Sequence, residues 1–172
     1  MKRVQGLEGT ALIECINPRY NKYRVRWDLQ PLIDEETGFE GVTFLETELL
    51  HRPTLQEIKD IVLAWMNGQI EAQILGGFVW NDMQIWLSSE NQFNYKAAYD
   101  LAVQTGGASL PVVFKLGTND APVYHTFTSV DEFRAFYMAA INHISTTLNE
   151  GWARKDAIDW TPYEEALLTT TA

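Results

Sequence analysis

Tyr23-Arg24-Val25-Arg26-Trp27-Asp28-Leu29 alternates apolar and charged residues without a break. A period of two is the signature of a half-buried strand, with Tyr23, Val25, Trp27 and Leu29 on one face. Asp34-Glu35-Glu36-Thr37-Gly38 reads as a turn, and Val42, Phe44 and Leu45 return as a second strand. The charges around this turn are sorted. Arg19 to Arg26 holds four bases and no acid, whereas Asp28 to Leu50 holds seven acids and no base. Folding the hairpin about Glu36 sets Arg24 opposite Glu48 and Arg26 opposite Glu46. Cross-strand opposite charges contribute about 0.2–1 kcal/mol each, so the pattern specifies a register. A solvated charged face accounts for these acids more simply than an acidic ligand-binding patch does.

Upstream, Ala11-Leu12-Ile13-Glu14-Cys15-Ile16 is a short apolar run ended by Asn17-Pro18, read as a strand. Downstream, Thr54-Leu55-Gln56-Glu57 is a capping box that opens a helix with Ile58, Ile61, Val62, Trp65 and Met66 on its apolar face. Asn67-Gly68 reads as its stop, with Gln69 to Leu75 a further turn or a connector. Gly76-Gly77 is the best module boundary. Phe78-Val79-Trp80, Asn81-Asp82 and Met83 to Leu87 form a tight hairpin, since Asn and Asp tolerate left-handed backbone.

A second capping box, Ser89-Glu90-Asn91-Gln92, opens a helix whose expected face is Phe93, Ala97, Leu101 and Ala102, ended by Gly106-Gly107. Leu110 to Leu116 and Val123 to Phe127 are paired strands about the turn Gly117-Thr118-Asn119-Asp120. Ser129-Val130-Asp131-Glu132 caps a long helix that buries Phe133, Phe136, Tyr137, Ala140, Ile141, Ile144 and Leu148 and stops at Gly151. Thr161-Pro162-Tyr163-Glu164 starts a last short helix, and Thr169 to Ala172 should fray. The two capped helices after hairpins echo one another at Thr54 to Lys59 and Ser129 to Arg134. Duplication and shared capping rules both produce that echo.

The 172 residues are 46% hydrophobic, which excludes wholesale disorder. Thirteen bases against 23 acids give a net charge of −10, so neither nucleic acid nor an anionic membrane is an expected partner. No signal-peptide pattern opens the sequence and no run approaches a membrane span. Cys15 is the single cysteine, in an apolar stretch where a small core residue is the ordinary role. His51, His125 and His143 have no helical zinc spacing. Nucleophile elbow, phosphate loop and dinucleotide fingerprint are all missing from the sequence. No enzymatic activity, cofactor or metal is therefore expected. A hydrolase built on two carboxylates stays open, because their spacing is spatial.

The aromatic residues are the remaining signal. Trp80 and Trp86 flank one tight turn, and Tyr23 and Trp27 share one strand face. Filling the core of a small domain is the simpler account. The functional account is a partner interface made by Trp80, Trp86, Tyr23 and Trp27, since aromatic residues dominate interface hot spots and also line sugar-binding surfaces.

The stretch from Phe78 to Trp160 resembles a domain of unknown function, DUF4376, found near the C-terminus of bacteriophage and prophage proteins. Its matching residues are Val79-Trp80-Asn81, Trp86 to Asn94, Val112-Val113-Phe114-Lys115, Val123 to Phe127, Gly151-Trp152 and Lys155 to Trp160. The similar sequences are of the gut Bacteroidetes prophage type. The resemblance implies a non-enzymatic tail-associated protein, with phage tail or fibre proteins as partners; symmetric self-association into a homo-oligomer is compatible with such a component. It implies a place in the virion, or in the host cytoplasm during assembly. It carries no catalytic residues, and the chain lacks the repetitive shaft of a fibre.

The expected fold is α+β: two hairpin-plus-helix modules with antiparallel strands packed against helices. The expected domains are residues 1–76, residues 77–160 and a short helix with a tail at 161–172. Rival functions are a fibre-assembly chaperone and a carbohydrate-binding module that uses Trp80 and Trp86.

Overall fold

The computed structural model describes residues 3–34, 39–118 and 120–170. It is a mixed α and β protein with antiparallel sheets and four α-helices among the described residues. Two compact units divide it, residues 1–64 with 157–172 and residues 65–156. This differs from the division read from the sequence. The boundary falls inside a helix rather than at Gly76-Gly77, and the last helix belongs with the first unit.

The first unit holds a four-stranded sheet of β1 (Arg3–Gly6), β2 (Ile13–Asn17), β3 (Lys22–Asp34) and β4 (Phe39–Leu49), in the order β1-β4-β3-β2. The charge-derived register is the observed one: Arg24 faces Glu48 and Arg26 faces Glu46. A bulge between Trp27 and Gln30 shifts the pairing by one residue towards the tip, with Asp28 in left-handed backbone (φ 53°). Arg3 of β1 pairs with the Asp28 carboxylate. The expected turn at Glu35 to Gly38 lies outside the described residues. No apolar alternation announces β1, because Val4 is its one large apolar residue.

The period of two sorts this sheet only in part: Leu29, expected on the buried face with Tyr23, Val25 and Trp27, lies in the bulge and is exposed. Tyr23, Val25 and Trp27 are buried. Arg24 stays half-exposed beside Glu48, but Arg26 is buried. Its guanidinium donates to Glu46 Oε2 at 3.1 Å, Glu14 Oε2 at 2.6 Å and the Ala11 carbonyl at 2.8 Å, and lies 5.2 Å from the centroid of buried Phe44. This face is therefore no simple solvated one. A buried guanidinium is tolerable because carboxylates and a carbonyl satisfy its N–H groups.

The first helix, α1 (Leu55–Gly76), starts at the expected capping box. Thr54 Oγ1 accepts from the Glu57 N–H at 3.2 Å, and Glu57 Oε2 accepts from the Thr54 N–H at 2.8 Å. His51 Nε2 lies 2.8 Å from Glu57 Oε1. Ile58 and Val62 are buried in the first unit. So is Tyr163 of α4 (Thr161–Thr169), whose hydroxyl donates to the Arg26 carbonyl at 3.0 Å. Burial, with a smaller contribution from Asp28, pushes the Tyr163 hydroxyl pKa up to about 12. Thr170 Oγ1 donates to the Ile13 carbonyl at 3.3 Å, so the chain is tied there rather than frayed; residues 171 and 172 lie outside the described residues.

The helix does not stop at Asn67-Gly68. It continues to Gly76, because Ile70 buries itself in the second unit and Lys155 donates to the Asn67 side chain. This unit contains β5 (Phe78–Trp80) and β6 (Met83–Ile85), α2 (Ser89–Gln104), β7 (Val112–Gly117) and β8 (Pro122–Phe127), and α3 (Val130–Asp156). Asn81 and Asp82 both have positive φ, the backbone a two-residue turn of this hand demands. The expected turn residue Asn119 lies outside the described residues.

Three expectations shift here. The α2 cap is Ser88, whose side chain accepts from the Asn91 N–H at 3.2 Å, one residue earlier than read. The buried face of α2 is Tyr95, Ala98, Tyr99 and Ala102, not Phe93 and Leu101. Tyr95 meets Phe136 and Phe114 edge-on at 5.1 and 4.9 Å, and Tyr99 stacks on Tyr137 at 4.8 Å. Two tyrosines with these partners bring more aromatic contact inward than the competing stripe. Finally, α3 runs through Gly151, and Ile141 of its expected stripe faces outward. A Cβ on Gly151 would sit 2.3 Å from Ile70 Cδ1 and 2.6 Å from its Cγ1, so this glycine is a packing residue, not a stop.

The α3 junction repeats part of that of α1, with Glu132 Oε2 accepting from the Thr128 N–H at 3.3 Å rather than from the cap residue itself. Ser129 Oγ accepts from the Glu132 N–H at 3.2 Å, and His125 Nε2 lies 3.0 Å from Glu132 Oε1. Phe127, Phe133 and Phe136 sit at the centre of this unit's core.

Two checks follow from these contacts. Gly68 is helical, exposed and open around its Cβ position, so Gly68→Ala should raise stability by about 0.5–1 kcal/mol. Gly151→Ala gains the same propensity but overpacks Ile70, a clash that costs about 1–3 kcal/mol in a core; urea unfolding should show Gly68→Ala more stable than the parent and Gly151→Ala no more stable. Hydrogen bonds from the Thr54 backbone first, then His51, hold the Glu57 carboxyl below the usual range. A depressed carboxylate stabilises the fold above its unfolded pKa and loses that effect as pH falls through the folded one. Glu57→Gln should therefore melt lower than the parent at neutral pH, and the gap should close on acidification.

Candidate functional site

The four aromatic residues singled out in the sequence divide sharply. Tyr23 and Trp27 are each 1% exposed in the first unit's core, which removes them from any surface a partner reaches in this fold. They alternate with charged residues because their strand has one buried face, so the same pattern that located the strand also explains their burial. Trp80 is half-buried in the second unit, with ring centroids 5.1 Å from His125, 5.2 Å from Phe136 and 5.7 Å from Phe127. Trp86 remains 53% exposed. Trp80 and Trp86 therefore do not form one aromatic surface.

Backbone geometry holds Trp86 in place. The residue after it, Leu87, is fully buried, and its N–H donates to the Leu75 carbonyl at 3.0 Å, tying the end of the β6 segment to the end of α1. A Cβ built on Gly76 would lie 3.4 Å from Trp86 Cζ3 and 3.9 Å from Cε3. The six-membered ring of the indole therefore lies at van der Waals contact distance from the helix end. The Trp86 carbonyl accepts from Asn91 Nδ2 at 2.8 Å, which joins it to the first turn of α2.

Trp86 lines a cleft of about 620 Å³ with Gln84, Asn91, Lys115, Leu116, Gly117, Thr118 and Asp120. A volume of this order falls in the range of small-molecule sites, roughly 300–1,000 Å³. Gln84 Nε2 donates to the Gly76 carbonyl at 2.7 Å. Thr118 Oγ1 accepts from the Ala121 N–H at 3.1 Å. Lys115 and Asp120 are exposed and make no ion pair among the described residues. Leu116 forms the buried floor. No signal in the linear sequence brings Gln84, Lys115 and Asp120 together, since the pairing of β7 with β8 and the docking of the β5-β6 hairpin assemble them.

A second surface is one the sequence marks but expects to be buried. Phe93 and Leu101 are 70% and 51% exposed, and with exposed Ala97 they occupy positions i, i+4 and i+8 of α2. The sequence singles out this stripe as a helix face, and it is one, but it points to solvent. On the β7-β8 hairpin, register places Lys115 opposite Tyr124 and Val113 opposite Thr126, and Val113 and Tyr124 are exposed on that outer face. Among the described residues, no group of three or more His, Cys, Asp or Glu side chains is placed to hold a metal ion, and no helix is long and apolar enough to cross a membrane. The two His–Glu pairs belong to helix caps, with His125 half-buried beside Trp80.

Comparison with known proteins adds one finding. No curated protein and no solved structure matches the chain. The family model described as Domain of unknown function (DUF4376) matches residues 54–171. That match is wider than the resemblance from Phe78 to Trp160: it begins at the Thr54 capping box and takes in both α1 and α4. With more than half of its length matched, the chain belongs to the DUF4376 family.

Proposed function

We propose that this chain is a non-enzymatic protein of bacteriophage or prophage origin, of the gut Bacteroidetes prophage type, that works by contact with phage tail or fibre proteins. Its place is the virion, or the host cytoplasm during assembly. The DUF4376 domain supports the phage link, since that family is tied to phage-related proteins in general. The observation that carries the contact reading is the α2 stripe of Phe93, Ala97 and Leu101, which is apolar, helical and open. Large apolar side chains aligned along one helix are the anchors a partner helix or groove takes up. A net charge of −10 keeps such a surface from driving indiscriminate aggregation. The reading also takes the chain as two related hairpin-plus-helix modules. It is supported by what the two helix starts share: a hydroxyl of Thr54 or Ser129 that accepts from the Glu57 or Glu132 N–H, and a histidine bonded to that glutamate.

Quantitative mass spectrometry of purified particles, paired with light scattering of the isolated chain, tests the proposal. A structural component should be present in the particles at fixed stoichiometry and form a closed oligomer in solution. The double substitution Phe93→Glu, Leu101→Glu should keep the parent melting temperature, because both side chains are exposed, and should lose particle incorporation. Incorporation at the parent level in that variant would sink the α2 contact. A chain that assembly requires but the particles lack would instead be the chaperone.

A further inference from the structure

We propose that the Trp86 cleft is a binding site for a neutral saccharide, a hexose or N-acetylhexosamine unit of a glycan. This goes beyond the protein-contact reading and uses residues other than the α2 stripe. A pyranose ring offers two things to a protein: an apolar face of C–H groups and a rim of hydroxyls that both donate and accept hydrogen bonds. The cleft supplies the complement of each. Trp86, with its six-membered ring set against Gly76 and half of the side chain open, is the apolar platform. Its indole N–H makes no hydrogen bond among the described residues.

Around it stand side chains whose hydrogen-bonding capacity is only partly used. The NH2 groups of Gln84 and Asn91 donate to the Gly76 and Trp86 carbonyls, which fixes both side chains and leaves their carbonyl oxygens without a donor among the described residues. Lys115 adds a donor and Asp120 an acceptor, neither of them paired among the described residues. Acceptors held in place before the ligand arrives lose less conformational entropy on binding.

The same chemistry chooses among ligand classes. One cation and one anion cancel in the cleft, and the chain as a whole carries −10, so a polyanionic ligand is disfavoured. A protein segment needs several apolar pockets, whereas among the described lining residues Trp86 is the single exposed apolar side chain, with Leu116 buried.

The test is a glycan array probed with the full chain, carrying neutral hexose and N-acetylhexosamine oligosaccharides beside sialylated and sulfated ones. Titration calorimetry then follows on the neutral glycan that binds. Trp86→Ala should lower affinity by about tenfold or more. Lys115→Ala and Asp120→Asn, both on exposed side chains, should weaken binding several-fold with unchanged melting temperatures. The Phe93→Glu, Leu101→Glu variant should bind the glycan like the parent, which separates this site from the α2 contact. An array on which no neutral glycan binds overturns the proposal. So does binding confined to the anionic glycans, or neutral-glycan binding that survives all three cleft substitutions.

Discussion

Each long helix in this protein begins at a glutamate held from two sides. Glu57 closes a capping box with Thr54, Glu132 donates its N–H to Ser129 Oγ and accepts from the Thr128 N–H, and each carboxylate also meets a histidine from the segment just before it, His51 or His125. The cap fixes where the helix starts, and the histidine fixes how the preceding hairpin enters it. Both constraints act within a few residues, yet together they set the phase of a helix 22 or 27 residues long. That phase decides which side chains turn inward. In α1 it buries Ile58, Val62 and Ile70; in α3 it buries Phe133, Phe136, Ala140 and Gly151. A cap placed one residue away would rotate each face by about 100°, since a turn holds 3.6 residues.

The two units use different means to fill their interiors. The first buries one face of a twisted sheet and closes the other with Arg26, whose guanidinium covers Phe44 and gathers Glu14, Glu46 and the Ala11 carbonyl. Removing one partner of such a group strands a buried charge, so the arrangement specifies the pairing of β2, β3 and β4 more strongly than surface ion pairs do. The second unit relies on ring packing. Phe127 stacks on Phe133 at 4.6 Å, with Trp80, Tyr95, Phe114 and Phe136 around them. Close approach of α1 and α3 here depends on glycine at 151, where Ile70 takes the space of a side chain.

What remains outside these interiors is the material for function. Trp86 and the α2 stripe are large apolar surfaces left open beside a core that had the chance to absorb them. They differ in setting. The stripe is an apolar helix face flanked by the exposed Lys96–Asp100 pair, suited to another protein. Trp86 stands over a cleft of amides, a lysine and an aspartate, suited to a ligand with a polar rim. Family membership places the chain among DUF4376 proteins and leaves both surfaces to be read from chemistry.

Local rules were legible in the sequence, and nonlocal choices were not. The alternation from Tyr23 to Trp27, the sorted charges that pair Arg24 with Glu48, the Thr54 and Ser129 caps and the Asn81-Asp82 turn all follow from interactions between residues close in the chain or directly opposed across one hairpin. Such signals survive in a linear reading because the partners are few and the geometry is fixed. The inward face of α2 was a different kind of question. Phe93-Ala97-Leu101 and Tyr95-Ala98-Tyr99-Ala102 are both apolar at helical spacing, and only the rings of Phe114, Phe133, Phe136 and Tyr137 decide between them. Gly151 reads as a stop until Ile70, 81 positions away, is seen against it. Whether Trp27, Trp80 or Trp86 stays open is likewise set by which elements cover each of them. Hydrophobic burial has no direction along the chain, so a sequence marks which side chains want cover, and the tertiary structure decides which of them receive it.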